Sequence, residues 1–130
     1  MSDQASTSKG IAKRYATALF DLANETDDIP TLEKNVTILR RSIDESTDLN
    51  SLISSPIYSR EQQKSAITAI AKKMGLSSIM TNTLSLMAEK RRLFVVPTFL
   101  SVLEDLIAES KNEIIAEVVS AKALTKGQLD

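Results

Sequence analysis

The 130-residue chain contains no cysteine and no histidine. Without cysteine there is no disulfide, no thiolate metal site and no thiol nucleophile. Without histidine the commonest general base and the commonest transition-metal ligand are gone as well. Tryptophan is missing, and the three glycines stand apart from one another, so no glycine-rich loop can cradle a phosphate. Neither sign of charge dominates: 16 Lys+Arg against 17 Asp+Glu leave a formal charge of −1. That balance argues against nucleic acid as the main partner and against attachment to an acidic membrane surface. No run approaches the ~20 apolar residues of a transmembrane span. The polar stretch Met1–Gly10 resembles neither a secretory signal nor an Arg-rich transit peptide. Together these absences point to a protein made and used in the bacterial cytoplasm, or to a mature form already processed. Only a carboxylate site remains for catalysis, yet the acidic residues are scattered, and the adjacent pair Asp27-Asp28 falls in an expected turn.

What the chain does have is helical periodicity. Its 42% hydrophobic content supports a real core in one domain, or one domain plus a fragment. A first helix, capped by Ser8 or Thr7, is expected to run to about Glu25, where Asp27-Asp28-Ile29-Pro30 breaks it. Thr31 opens a second, with Leu32, Val36, Leu39 and Ile43 on one face and Arg40 and Arg41 near its negative end. A short third spans about 48–54 and stops at Pro56. Ser59 and Gln62 have capping-box spacing and start a fourth, which buries Ala66, Ile67, Ile70, Ala71 and Met74 and ends at Gly75. Ser77 or Ser78 begins a fifth that ends near Arg91. Pro97 suits the first turn of a sixth, which uses Phe99, Leu100, Leu103, Leu106 and Ile107 and ends near Asn112.

Two of these helices carry more apolar surface than a small core needs. At about 100° per residue, Ile11, Tyr15, Ala18 and Leu22 form one stripe of the first helix, and Ala12, Ala16, Leu19, Phe20 and Ala23 form a second beside it. Together they cover roughly 200°, about twice what a surface helix buries. The fifth helix repeats the arrangement with Ile79, Met80, Thr83, Leu84, Leu86, Met87 and Ala88. Each is either central to the bundle or buries its spare stripe against another molecule. Tyr15 reads as a core-edge residue with a wet hydroxyl, which periodicity slightly favours, or as an interface anchor. The methionines read as core fillers that also suit helix-binding grooves. Lys90-Arg91-Arg92, the one basic cluster, reads as a solvated helix terminus, since no aromatic platform accompanies it.

Beyond Asn112 the character changes. Glu113–Ala121 is rich in β-branched residues and reads as a strand or extended connector. Thr125-Lys126-Gly127-Gln128 resembles another capping box only a few residues from Asp130, and so short a helix cannot stand alone. The expected organisation is therefore a six-helix bundle over 1–112, with 113–130 as a connector and the start of a truncated carboxyl-terminal domain.

Ile11-Ala12-Lys13-Arg14-Tyr15-Ala16-Thr17-Ala18-Leu19-Phe20-Asp21-Leu22-Ala23 resembles the first helix of the delta-subunit family of F-type ATP synthases, whose mitochondrial counterpart is the oligomycin-sensitivity-conferring protein. Leu86-Met87-Ala88-Glu89-Lys90-Arg91-Arg92-Leu93 with Val96-Pro97 is similar to the family's fifth helix and its following turn. Glu117–Thr125 (EVVSAKALT) is similar to its passage into a second domain. The three blocks come in order over almost the whole chain. This resemblance implies an all-α bundle and a non-catalytic stator subunit without a cofactor, set on the cytoplasmic side of the bacterial inner membrane. It also implies two partners: an alpha-subunit amino-terminal helix held between the first and fifth helices, and b subunits of the peripheral stalk met by the second domain. Carried onto this chain, the seven alpha-binding residues are Tyr15, Ala18, Leu19 and Leu22 with Thr83, Leu86 and Met87, and Lys90 stands at their margin. The rival readings are a helical DNA-binding regulator built on a helix pair over 59–92, and a generic helical adaptor.

Overall fold

The computed structural model describes residues 2–55 and 57–129, with side chains described for 7–55 and 57–120. Six α-helices follow one another: α1 Ser2–Glu25, α2 Ile29–Glu45, α3 Thr47–Ser54, α4 Arg60–Met74, α5 Ser78–Glu89 and α6 Val96–Leu129, with a 3-10 turn at Leu93–Val95 leading into α6. No strand occurs among the described residues, so the chain is all-α.

Local chemistry sets most boundaries. Ser46, Ser59 and Ser77 cap α3, α4 and α5, each accepting a hydrogen bond from the amide three residues on. At α4 the capping box is complete, with the Ser59 amide donating to Gln62 Oε1 at 2.8 Å. Three helices end in the same six-residue closure. The amides of Asp28, Leu76 and Arg92 donate five residues back, to the carbonyls of Ala23, Ala71 and Met87. The left-handed residue this needs is Asp27, Gly75 and Arg91 respectively, at φ 55, 76 and 59. Glycine adopts that conformation freely and aspartate tolerates it. Arginine pays about 1 kcal/mol for it.

The core is one cluster drawing on every helix. Phe99, Leu100 and Leu103 of α6 lie at its centre with Leu32, Leu39, Ile67, Met80, Leu84 and Met87. α1 packs most extensively on α6, and α4 on α5. Ala12, Ala16 and Ala23 of α1 are fully buried, their small side chains allowing close helix approach. Of the expected α4 core, Ile67 and Ala71 are buried while Ala66, Ile70 and Met74 are partly so. Two buried amides fix the helices against one another. Asn35 donates to Thr31 O at 2.6 Å and accepts from the Ser77 amide at 2.6 Å, satisfying an N-terminal donor of α5. Gln63 Nε2 donates to Leu52 O at 3.2 Å, joining α4 to α3.

Several expectations need correction. α1 starts at Ser2, so Thr7 and Ser8 lie inside it rather than at its cap. α2 starts at Ile29 with Pro30 in its first turn, where a missing amide costs nothing. Arg40 does not serve the helix end. Its guanidinium reaches α6, 2.8 Å from Glu104 Oε1 and 2.9 Å from Ser101 Oγ. The largest difference is in α6, which does not end near Asn112 but continues through 113–121 as helix. Ile114, Ile115, Val118 and Val119 recur at i, i+1, i+4 and i+5, a helical stripe and not a strand alternation. Their β-branching costs a few tenths of a kcal/mol each, and an existing helix adds residues without a new nucleus. Pro56 and the side chains of Thr125–Gln128 lie outside the described residues; the backbone of the latter continues α6.

Candidate functional site

α1 and α5 are packed neighbours, and both keep part of their apolar arc uncovered. On α1 the covered side is Ala12, Ala16, Leu19 and Ala23, all buried. The other stripe is graded: Ile11 and Tyr15 are half-buried, Ala18 is exposed, and Leu22 is 42% exposed. Leu19 lies about 40° from Tyr15 on the wheel, toward the alanines, which is why it falls to the core. On α5, Met80, Leu84, Met87 and Ala88 are fully buried, Thr83 is half-buried, and Leu86 is 45% exposed. The Thr83 hydroxyl donates back to Ile79 O at 2.8 Å.

The seven residues singled out from sequence therefore divide. Tyr15, Ala18, Leu22, Thr83 and Leu86 present at least part of their surface to solvent. Leu19 and Met87, 2% and 0% exposed, lie inward of that face and belong to the bundle core. Ala18 also lines a shallow open depression along α1 with Gly10, Lys13, Arg14, Thr17 and Asp21. A larger cleft of about 780 Å³ lies elsewhere, between α2 and the far half of α6, beside the Lys111–Glu33 ion pair. None of the seven residues lines it.

Tyr15 is tied into the fold. Its hydroxyl accepts a hydrogen bond from Arg92 Nη1 at 3.3 Å, linking α1 to the turn after α5. Arg91 donates to Tyr58 O at 3.0 Å, across to the segment before α4. Arg91 and Arg92 of the basic cluster are thus engaged in tertiary ties, while Lys90 is exposed. Sequence reasoning missed this because a side chain's reach across 77 positions leaves no periodic signal. The left-handed arginine at 91 is likewise invisible where glycine is the usual mark of such a turn.

Among the described residues no group of carboxylates could hold a metal ion, and no helix is long and apolar enough to cross a membrane. A bundle whose buried Asn35 and Gln63 serve a helix end and an inter-helix tie, with spare apolar surface on two adjacent helices, has the build of a structural subunit. The model of the ATP synthase delta (OSCP) subunit family matches residues 11–130. ATP synthase subunit delta of Roseobacter denitrificans is 58% identical over all 130 residues, which cover 70% of that relative. The subunits delta of a Jannaschia species and of Dinoroseobacter shibae are 55% and 52% identical over the same 130 residues, again 70% of their lengths. The chain belongs to the ATP synthase delta (OSCP) subunit family. It is a peripheral-stalk subunit of an F-type ATP synthase, structural and not itself catalytic, held peripherally within the complex. The reading as a DNA-binding regulator gives way to this membership, although α4 and α5 do pack as an adjacent pair joined through Gly75.

Proposed function

We propose that this chain ties the catalytic head of the synthase to its peripheral stalk by docking the amino-terminal helix of an alpha subunit on the α1–α5 face. Tyr15, Ala18, Leu22, Thr83 and Leu86 make the contact, with Lys90 at its margin and with Leu19 and Met87 supporting it from the core side. Residues 1–112 form the head-binding unit. Residues 113–130 lead into a second unit that meets the b subunits, on the cytoplasmic side of the bacterial inner membrane.

The observation that carries this reading is the paired exposure of Leu22 and Leu86 on neighbouring helices whose opposite faces are fully buried. The work is mechanical: a rotary machine needs its head held against the torque of the rotor. An amphipathic helix laid on a preformed apolar face suits that task, with anchors at i, i+3, i+4 and i+7. Leu22 and Leu86 are already more than half covered, so hiding the rest contributes about 1 kcal/mol apiece. The docked helix's own anchors, starting fully exposed, contribute about 1.5–3 kcal/mol each.

Co-purification with alpha subunits that have or lack their first ~20 residues, enough for a helix of about 30 Å, tests this. The complete alpha subunit should retain the chain and the shortened one should lose it. Equal retention by both would remove the α1–α5 face from the account.

A further inference from the structure

The Arg92 guanidinium sits half-buried beside Tyr15, at one end of the α1–α5 seam. Its position is set rigidly. The Arg92 amide donates to Met87 O at 2.7 Å, and the Arg91 amide to Ala88 O at 3.0 Å, closing the turn that aims the side chain onto α1. That turn holds a non-glycine residue, Arg91, in the left-handed region at φ 59. Strain of this kind persists only where surrounding contacts enforce it.

Arg92 is also short of negative partners. A guanidinium offers five N–H donors in a planar fork suited to two carboxylate oxygens. Among the described residues, the single side-chain partner of Arg92 is the neutral Tyr15 hydroxyl. The ion pairs among the described residues are Arg40–Glu104, Lys64–Glu89 and Lys111–Glu33, and none includes Arg92. Glu89, the acid nearest in sequence, is turned to Lys64 at 3.6 Å. The remaining charges within three residues of Tyr15 or Arg92 in sequence are Lys13, Arg14, Lys90 and Arg91, all positive.

We propose that Arg92 is the polar determinant of the docking face, receiving a carboxylate of the docked helix while Tyr15 holds the guanidinium in place. The apolar stripe supplies contact along the face, and the carboxylate at the Tyr15 end sets register and direction. This rests on the docking face proposed above. It adds a requirement that an apolar stripe alone does not impose: the bound helix must carry an acidic residue near one end of its apolar side. The charge-assisted pair also makes the interaction weaken as salt rises.

The test is calorimetric titration of the 130-residue chain with a synthetic peptide of the alpha subunit's first ~20 residues. Matched peptides carry each acidic residue changed in turn to Gln or Lys. R92E should weaken binding at least tenfold, and one acid-to-Lys peptide should recover most of the loss. R92Q should weaken binding several-fold and flatten its salt dependence, with R92K intermediate. Thermal melts of each variant report the fold. Should R92E fail to fold, R92Q with the single acid-to-Gln peptide decides the matter, because the two losses must not add. Wild-type affinity in R92E or R92Q, or additive losses, overturns the carboxylate role while leaving the docking face standing. No binding of the peptide by the unmodified chain overturns both.

Discussion

Large apolar side chains are exposed in several places, and two of those regions rest on very different supports. On α1 and α5 the exposed Leu22 and Leu86 belong to helices whose other faces are locked into the core by Leu19, Ala23, Leu84 and Met87. In the far half of α6, residues 111–120 are exposed on every side, and Ile114, Ile115, Val118 and Val119 are each more than half uncovered. The first arrangement holds its surface ready before a partner arrives, so little conformational freedom is lost on binding. Beyond the Lys111–Glu33 ion pair at its start, the second is held by backbone hydrogen bonds and local propensity. An exposed leucine on an anchored helix is a docking surface in waiting; four exposed β-branched residues on an unsupported helix are not yet committed to one partner.

This contrast can be broken or sharpened by substitution. The largest effect should come from the support beneath the α1–α5 face. Leu84→Ala empties a fully buried site and should cost about 2–5 kcal/mol, read by urea denaturation. Asn35→Ala leaves the Ser77 amide without its partner and should cost about 1–3 kcal/mol in the same measurement. On the surface of the face the consequence shifts from folding to binding. Ala18 is exposed, so Ala18→Asp should leave helix content and melting temperature near the original while weakening alpha-peptide binding at least tenfold. Unchanged affinity in a calorimetric titration would remove Ala18 from the contact.

In the far half of α6 the expectation reverses. Val118→Pro should lower far-UV helicity, because a helix-interior proline costs about 3 kcal/mol locally, yet leave the main unfolding transition in place. A matching fall in the global transition would show that this half of α6 is coupled to the core. The smallest effect belongs to Arg91→Gly. Relief of the left-handed strain, worth about 1 kcal/mol, offsets loss of the tie to Tyr58, so the net change in stability should lie within about 0.5 kcal/mol of zero.

The same contrast explains what could be read from sequence. Caps and stops at Ser59, Gly75 and Ser77 are local chemistry, and each stands where its spacing places it. The inward stripe of α1 was legible too, because a 3.6-residue period survives translation into burial. Which residues of so wide an arc face outward was harder to read: Leu19 goes inward with the alanine stripe it shares, and Met87 is fully covered within the bundle. Residues 113–121 misled for a related reason. Ile114-Ile115 and Val118-Val119 satisfy a strand's composition and a helix's spacing at once, and continuity with the rest of α6 decides between them. The Arg92–Tyr15 tie joins two blocks that each resembled the family separately, yet their contact belongs to the fold and not to either motif.

The central claim is that the anchored face, not the free half of α6, receives the alpha-subunit helix. Amide hydrogen exchange of the chain with and without the alpha amino-terminal peptide tests it most directly. We expect added protection at Tyr15–Leu22 and Thr83–Arg92, with exchange at 113–120 unchanged. Protection gained at 113–120 while α1 and α5 exchange as before would contradict it.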